Sequence, residues 1–255
     1  MHLITSRSNE KIRKYRALVS KPEEGFVTLE GIRLIRDCFD AGASFSELFI
    51  SERCRRNRDS IELAEKARAT GAEIVDVTDD ILDYMADTQH PGGMAAIAIW
   101  NAAEDISPDL PVIALDDLQD PGNLGAIIRS AAAFGYGAVL LGGKTAKANS
   151  PKVARASMGA IYRINILHVK NLAAALAGLK ECGFKVHGLD MEGAPIEDLR
   201  AVVPYCMVVG SEGSGLSNDV RALLDSTVSI RMAGGVESLN ASVAASIAMW
   251  SASRH

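Results

Sequence analysis

The stretch Ser226-Thr-Val-Ser-Ile-Arg-Met-Ala-Gly-Gly-Val-Glu-Ser-Leu-Asn-Ala-Ser-Val-Ala-Ala-Ser-Ile247 decides how this chain folds. It opens on an alternating, β-branched run and closes on an alanine-rich helical run. Gly234 and Gly235 lie between the two, followed by Ser238 and Asn240. Serine and asparagine hydrogen-bond well and suit a helix start. One reading is therefore a plain N-cap. The other is a polar site, because ligands of α/β sheets gather beyond the carboxyl ends of the strands.

Upstream of this stretch the same alternation repeats. Apolar, β-rich runs at 112–115, 137–141, 163–167, 184–189, 205–209 and 227–231 read as strands. Helical runs separate them, among them 171–181 and the final run from 239. This predicts a mostly parallel sheet covered on both faces. The acidic, polar stretch around Pro108 and Pro111 reads as a linker. Before it, a helix over 8–18 capped by Ser8, a strand over 26–29 and a helix over 32–39 are expected. A strand over 47–50, a helix over 59–69 and strands over 73–77 and 94–100 complete a small α/β/α layer domain. The expected organisation is a first domain over 1–100, a linker over 101–110 and a second domain over 111–255.

The 255 residues carry 48% hydrophobic and 23% charged side chains, as ordinary globular proteins do. A net charge of −5 gives no global pull toward nucleic acid, so such a partner needs a local basic patch. Cys38, Cys54, Cys182 and Cys206 are far apart and form no metal-ligand spacing, which predicts reduced, buried thiols and no metal. Arg7 comes too soon for a signal peptide. No apolar run reaches membrane-spanning length. A cytoplasmic protein without membrane contact is expected.

Three loops carry the polar chemistry. In the first, Leu115-Asp-Asp-Leu-Gln-Asp-Pro-Gly-Asn-Leu-Gly-Ala-Ile-Ile-Arg129, Asn123 is expected to start a helix. Arg129 follows on that helix amid isoleucines and alanines. Gly125, one turn below, would let a ligand reach the guanidinium. The alternative is that Arg129 pairs with a structural carboxylate. The second loop, Met207-Val-Val-Gly-Ser-Glu-Gly-Ser-Gly-Leu-Ser217, exposes backbone amides and places Glu212 at its tip. It lacks the lysine of a phosphate-binding loop. The third is the opening segment. The small-residue turn Ser157-Met-Gly-Ala160 is a further candidate for lining the cleft. His168 and His187 lie on strand-like runs and read as structural, and His90 as a turn histidine.

Together, in this order, the three loops resemble the SpoU (TrmH-like) family of RNA 2′-O-ribose methyltransferases, within the SPOUT superfamily. The motifs are Asp120-Pro-Gly-Asn-Leu-Gly-Ala-Ile-Ile-Arg129, Gly210-Ser-Glu-Gly-Ser-Gly-Leu216 and Ile230-Arg-Met-Ala-Gly-Gly-Val-Glu-Ser-Leu-Asn-Ala-Ser-Val-Ala244. Ile4-Thr-Ser-Arg-Ser-Asn-Glu-Lys-Ile12 is similar to the start of the family's substrate-binding domain. The resemblance implies a C-terminal α/β domain with a deep trefoil knot, which general topology rules would not suggest. It implies S-adenosylmethionine as cofactor, held by Gly210, Ile230 and Leu239 with Met232 nearby. It implies a homodimer with the active site completed across the interface. Arg129 takes the catalytic position, Asn123, Ser238 and Asn240 position it and the ribose, and Glu212 orders the loops. Two residues depart from the family pattern. Arg231 stands where the third motif usually has proline, which predicts a looser loop and weaker cofactor binding. Ser211 stands where asparagine is frequent.

The implied substrate is RNA, with ribosomal RNA favoured over transfer RNA. Two basic clusters in the first domain are expected to meet it: Arg7, Lys11, Arg13, Lys14 and Arg16, and Arg53, Arg55, Arg56 and Arg58. A non-catalytic RNA-binding or assembly factor on the same fold is the alternative, and a nucleotide-dependent transferase is a third reading.

Overall fold

The computed structural model describes residues 3–89, 91–103, 105–234 and 238–253, so His90 lies outside the described residues. In chain order the elements are α1 (Glu10–Ser20), β1 (Gly25–Glu30), α2 (Ile32–Asp40), β2 (Phe45–Ser51), α3 (Arg58–Ala69), β3 (Glu73–Val77), α4 (Asp79–Met85), β4 (Met94–Trp100), β5 (Val112–Asp116), α5 (Pro121–Ala133), β6 (Ala138–Gly142) and α6 (Pro151–Ser157). There follow β7 (Asn165–Val169), α7 (Leu172–Glu181), β8 (Lys185–Pro195), β9 (Tyr205–Val209), α8 (Asn218–Arg221), β10 (Ser226–Ser229) and α9 (Ala241–Ala252).

They form two compact units. One comprises Met1–Asn101 with Asn149–Tyr162, and the other Ala102–Ala148 with Arg163–His255. The segment around α6, expected in the second domain, thus packs with the first. Asn149 fixes it there, donating from Nδ2 to the carbonyls of Glu23 (2.7 Å) and Phe26 (3.1 Å). Part of the expected linker is likewise pinned to the second unit. The Ala103 amide donates to Ile166 O at 2.9 Å, and Asn165 Nδ2 donates to Asp105 O at 3.3 Å.

The first unit is built on a four-stranded sheet in the order β1-β4-β2-β3, with β4 antiparallel to both neighbours and β2 parallel to β3. Ile12, Tyr15 and Leu18 of α1 and Ile81, Leu82 and Met85 of α4 pack on the face carrying Phe49, Val75, Val77 and Ile97. Side chains alternate along strands, and Leu48, Ile50, Ala96 and Ala98 of the opposite face are also buried. Helices α2 and α3 contact the same strands. The first helix starts one residue later than the serine expectation allows, because Asn9 is the cap and accepts from the Lys11 amide at 2.9 Å. Thr78 caps α4, accepting from the Ile81 amide, in a stretch that the sequence reading left unassigned.

The second unit is a six-stranded sheet in the order β10-β8-β9-β5-β6-β7, parallel throughout. Strands β5, β6 and β9 are buried along their whole length, as parallel strands covered on both faces must be. Leu172, Leu176 and Leu179 of α7 and Val220 of α8 pack on Val112, Ala114, Leu140 and Val208. On the other face α5 and α9 lie side by side. The buried residues of α9 are Ala241, Ala245, Ala248, Met249 and Ala252, a single stripe at helical spacing. The alanines let the helices approach closely enough for Ser130 and Ser246 to join hydroxyls at 2.8 Å. The chain runs outward from β5 to β6 and β7, then returns so that β9 lies beside β5. Such a reversal marks where α/β sheets bind ligands.

Candidate active site

Helix α5 begins two residues before Asn123. Asp120 is its cap, accepting from the Asn123 amide at 2.7 Å, and Pro121 occupies the first turn, where its missing N–H costs nothing. This fixes Asn123 with its side chain free to look outward. Asn123 Nδ2 donates to Glu212 Oε1, and Asn240 Nδ2 donates to Asn123 Oδ1 at 2.9 Å. One asparagine thus ties together the loops after β5, β9 and β10. Asn240 also caps α9, its Oδ1 accepting from the amides of Ser242 (2.9 Å) and Val243 (3.3 Å). Both readings of Asn240, cap and site residue, hold at once.

The glycine-rich loop folds back on itself. The Ser211 amide donates to Gly215 O at 3.2 Å, and the Gly215 amide to Ser211 O at 3.0 Å. A Cβ at Gly210 would overlap the backbone of Gly215 and Leu216, so only glycine permits the fold-back. Gly215 itself takes φ +64°, the left-handed region glycine favours. The buried carboxylate of Asp116, at the end of β5, holds the loop's far end by accepting from the Ser217 amide at 2.8 Å.

Beyond the carboxyl ends of β9 and β10, and beside the middle of β8, opens a cleft of about 580 Å³, within the range of about 300–1,000 Å³ usual for small-molecule sites. Leu189, Met191, Val209, Ile230, Met232 and Leu239 give it apolar walls. The glycine loop with Glu212, and Ser238 with Asn240, form its polar side. All four expected cofactor residues, Gly210, Ile230, Met232 and Leu239, line it. Asp190 and Arg221 line it too, and the sequence reading missed both. Asp190 is midway along β8, but it lies just past the end of the strand expected over 184–189, where α/β sites are found, and that was the available signal. The turn at 157–160 belongs to the other unit and is not among the lining residues.

Arg129 stands apart from this cleft. It is exposed although its sequence neighbours are apolar, and makes no hydrogen bond or ion pair among the described residues, so the alternative of a structural carboxylate partner does not hold there. Six residues separate it from Asn123, roughly 9 Å along the helix and roughly 240° around it. Gly125, one turn below it, is buried, whereas the Arg129 side chain is exposed. The outer side of α9, the neighbour of α5, exposes Val243 (47%) and Trp250 (49%).

In the first unit four of the nine expected RNA-binding cations have carboxylate partners. Lys11 pairs with Glu73, Lys14 with Glu47, Arg53 with Asp79 and Asp83, and Arg55 with Asp76. Arg7 and Arg16 lie over the Tyr84 ring, at 4.5 and 4.2 Å from its centroid. The side chains of Arg13, Arg56 and Arg58 are exposed and make no contact ion pair among the described residues, with Arg56 only in longer-range attraction to Asp79 and Arg58 to Glu62.

His187 is held at Nδ1 by Ser226 Oγ (2.9 Å), and burial keeps its pKa below the ordinary histidine value. His168 lies on β7. Cys38, Cys54 and Cys206 are buried, whereas Cys182 is exposed, and none of the four is in a disulfide. Among the described residues no group of three His, Cys, Asp or Glu could hold a metal, and no helix is long and apolar enough to cross a membrane.

The chain matches the SpoU rRNA Methylase family over residues 110–250 and an MRM3-like substrate binding domain over residues 9–96. A TrmH family tRNA/rRNA methyltransferase of Staphylococcus haemolyticus is 33% identical over 234 residues, covering 88% of this chain and 94% of that protein. An AdoMet-bound rRNA methyltransferase from Sinorhizobium meliloti superposes with a TM-score of 0.89 at 26% identity, covering 100% of this chain and 98% of the other. The SpoU methyltransferase AviRb from Streptomyces viridochromogenes, in complex with AdoMet, gives 0.84 at 26% identity, covering 96% and 98%. Matched across both units, in order and nearly end to end, the chain belongs to the SpoU methylase family.

Proposed function

We propose that this protein is an S-adenosylmethionine-dependent RNA methyltransferase that methylates a ribose 2′-hydroxyl, in ribosomal rather than transfer RNA. The observation that carries this reading is the hydrogen-bonded junction of Glu212, Asn123 and Asn240 at the cleft. Three loops distant in sequence are fastened where a small ligand would sit.

The cleft suits the cofactor. Its apolar walls match an adenine, and the folded glycine loop brings backbone amides and carbonyls close. Gly210, Ile230, Met232 and Leu239 would hold it. Bound there, the cofactor supplies a methyl group on a sulfonium, transferable to oxygen as the hydroxyl proton leaves for solvent.

The chain's own contribution is charge and position. Arginine keeps its proton in proteins, so Arg129 acts by stabilising the developing alkoxide and clamping the neighbouring phosphate. Asn123, Ser238 and Asn240 position the ribose, and Glu212 orders the loops. Because Arg129 is exposed and outside the lining of its own chain's cleft, the reading includes a homodimer in which Arg129 of one copy serves the cleft of the other. The exposed Val243 and Trp250 on the adjoining helix are apolar surface of the kind that association covers. The knotted path of the C-terminal segment is part of the same proposal. The unpaired cations Arg13, Arg56 and Arg58, with Arg7 and Arg16, are the proposed phosphate contacts. Mapping 2′-O-methyl groups in RNA from cells with and without the protein tests the assignment. Loss of one ribosomal site is expected, and an unchanged map would count against turnover and for a binding role.

A further inference from the structure

The cleft carries one ion pair whose purpose the family motifs do not explain. Arg221, at the last position of α8, directs Nη2 to Asp190 Oδ2 at 2.5 Å. Its Nε donates to Leu216 O at 3.0 Å, and a Cβ built on Gly215 would lie 3.5 Å from Nη2. The guanidinium therefore lies against the end of the glycine loop, with Nη1 unengaged among the described residues. Asp190 keeps 14% of its side chain exposed, and its other oxygen accepts from the Glu192 amide at 3.1 Å. A carboxylate offers about four acceptor sites, so two stay open.

The charged lining among the described residues is Asp190, Glu212 and Arg221. Glu212 is already engaged by Asn123. What is left is one anion and one cation side by side, and the rest of the lining is uncharged. That pattern complements a zwitterion.

We propose that Arg221 and Asp190 recognise the amino-acid tail of S-adenosylmethionine. Arg221 takes the α-carboxylate and Asp190 the ammonium, exchanging their mutual ion pair for two pairs with the ligand. The inference rests on the cofactor assignment given above. It makes the pair the device that separates the intact cofactor from adenosine thioethers that lack the tail. A guanidinium matches a carboxylate with two parallel bonds, and a site built for a charged group rejects an analogue that lacks it.

The test is calorimetric titration of the full chain with S-adenosylmethionine and with 5′-methylthioadenosine, alongside unfolding midpoints. The wild type should bind the intact cofactor more tightly than the thioether. Arg221→Met should weaken the cofactor roughly ten- to hundredfold, the worth of a hydrogen bond to a charged group, and leave 5′-methylthioadenosine within about twofold. Asp190→Asn should act in the same sense. Arg221→Lys, which keeps the charge, should restore part of the preference and covers the case in which the methionine variant does not fold. Equal weakening of both ligands would make the pair a mere brace for the glycine loop and overturn the proposal, as would no change in either. If the wild type binds neither ligand, the cofactor assignment itself falls, and that outcome is distinct from all the others.

Discussion

Asn240 donates from Nδ2 to Asn123 Oδ1 at 2.9 Å while its own Oδ1 caps α9. One side chain thus secures a helix and a junction of active-site loops, and the two duties separate by substitution. Asn240→Ser keeps a capping oxygen and loses the reach to Asn123. Thermal stability should stay within about 0.5 kcal/mol, because serine and asparagine cap comparably, while turnover falls at least tenfold. Asn240→Ala should lose turnover and also about 1 kcal/mol of stability. Equal turnover in the serine variant and the wild type would reduce Asn240 to a cap.

Arg129 is the second point of attack. Removing a donor that stabilises developing charge typically costs about 100- to 1,000-fold in rate. Arg129→Lys retains the charge and loses the planar fork, so turnover should drop towards that range. Cofactor affinity should be unchanged, since the proposed contacts of Arg129 are to the ribose oxygen and phosphate of the RNA. Near-intact turnover would show that a planar guanidinium is not needed.

Gly210→Ala places a methyl group into the backbone of Gly215 and Leu216. The fold-back must open, at a cost of about 1–3 kcal/mol as for other overpacked sites. Cofactor affinity should fall at least tenfold, and calorimetry checks it. Arg231→Pro works in the opposite direction. If the loop tolerates the fixed φ, proline there should raise affinity about two- to fivefold by restricting the unbound loop.

The basic clusters predict a graded salt response. Cations already neutralised, Lys11, Lys14 and Arg55, should alter RNA affinity less than the unpaired Arg13, Arg56 and Arg58. Each lost phosphate contact should reduce the salt slope by about one. Measuring RNA affinity against salt for Arg56→Ala and Arg58→Ala tests this, and an unchanged slope would remove that cluster from the footprint.

Much of this was legible in the sequence because it depends on local pattern. Strands β3 and β4 have the bounds that alternation predicts, and the glycine loop and Asn240 fall where strand meets helix. Position within the fold was harder to read. Arg129 follows two isoleucines in sequence, yet Ile127, Ile128 and Ala131 occupy the inward face of α5 and it does not, which spacing alone did not tell. Asp190 and Arg221 meet across 31 residues of chain, and no spacing announces such a pair. Helix α6 was missed because it is only two turns long, and its place in the first unit depends on Asn149 reaching residues 23 and 26. The short α4 did carry a signal, Thr78 before two aspartates, which are a cap and favourable charges at a helix start.

The most direct measurement of the central claim uses purified protein, S-adenosylmethionine labelled in the methyl group and ribosomal RNA, followed by alkaline hydrolysis. A 2′-O-methyl group caps the 2′-oxygen that would otherwise attack the adjacent 3′ phosphate, so the backbone survives alkali there. Label is expected in alkali-resistant dinucleotides from one position, incorporated far more slowly by the Arg129→Lys variant. Label in alkali-released mononucleotides, which would place the methyl on a base, or no label at all, would contradict the claim.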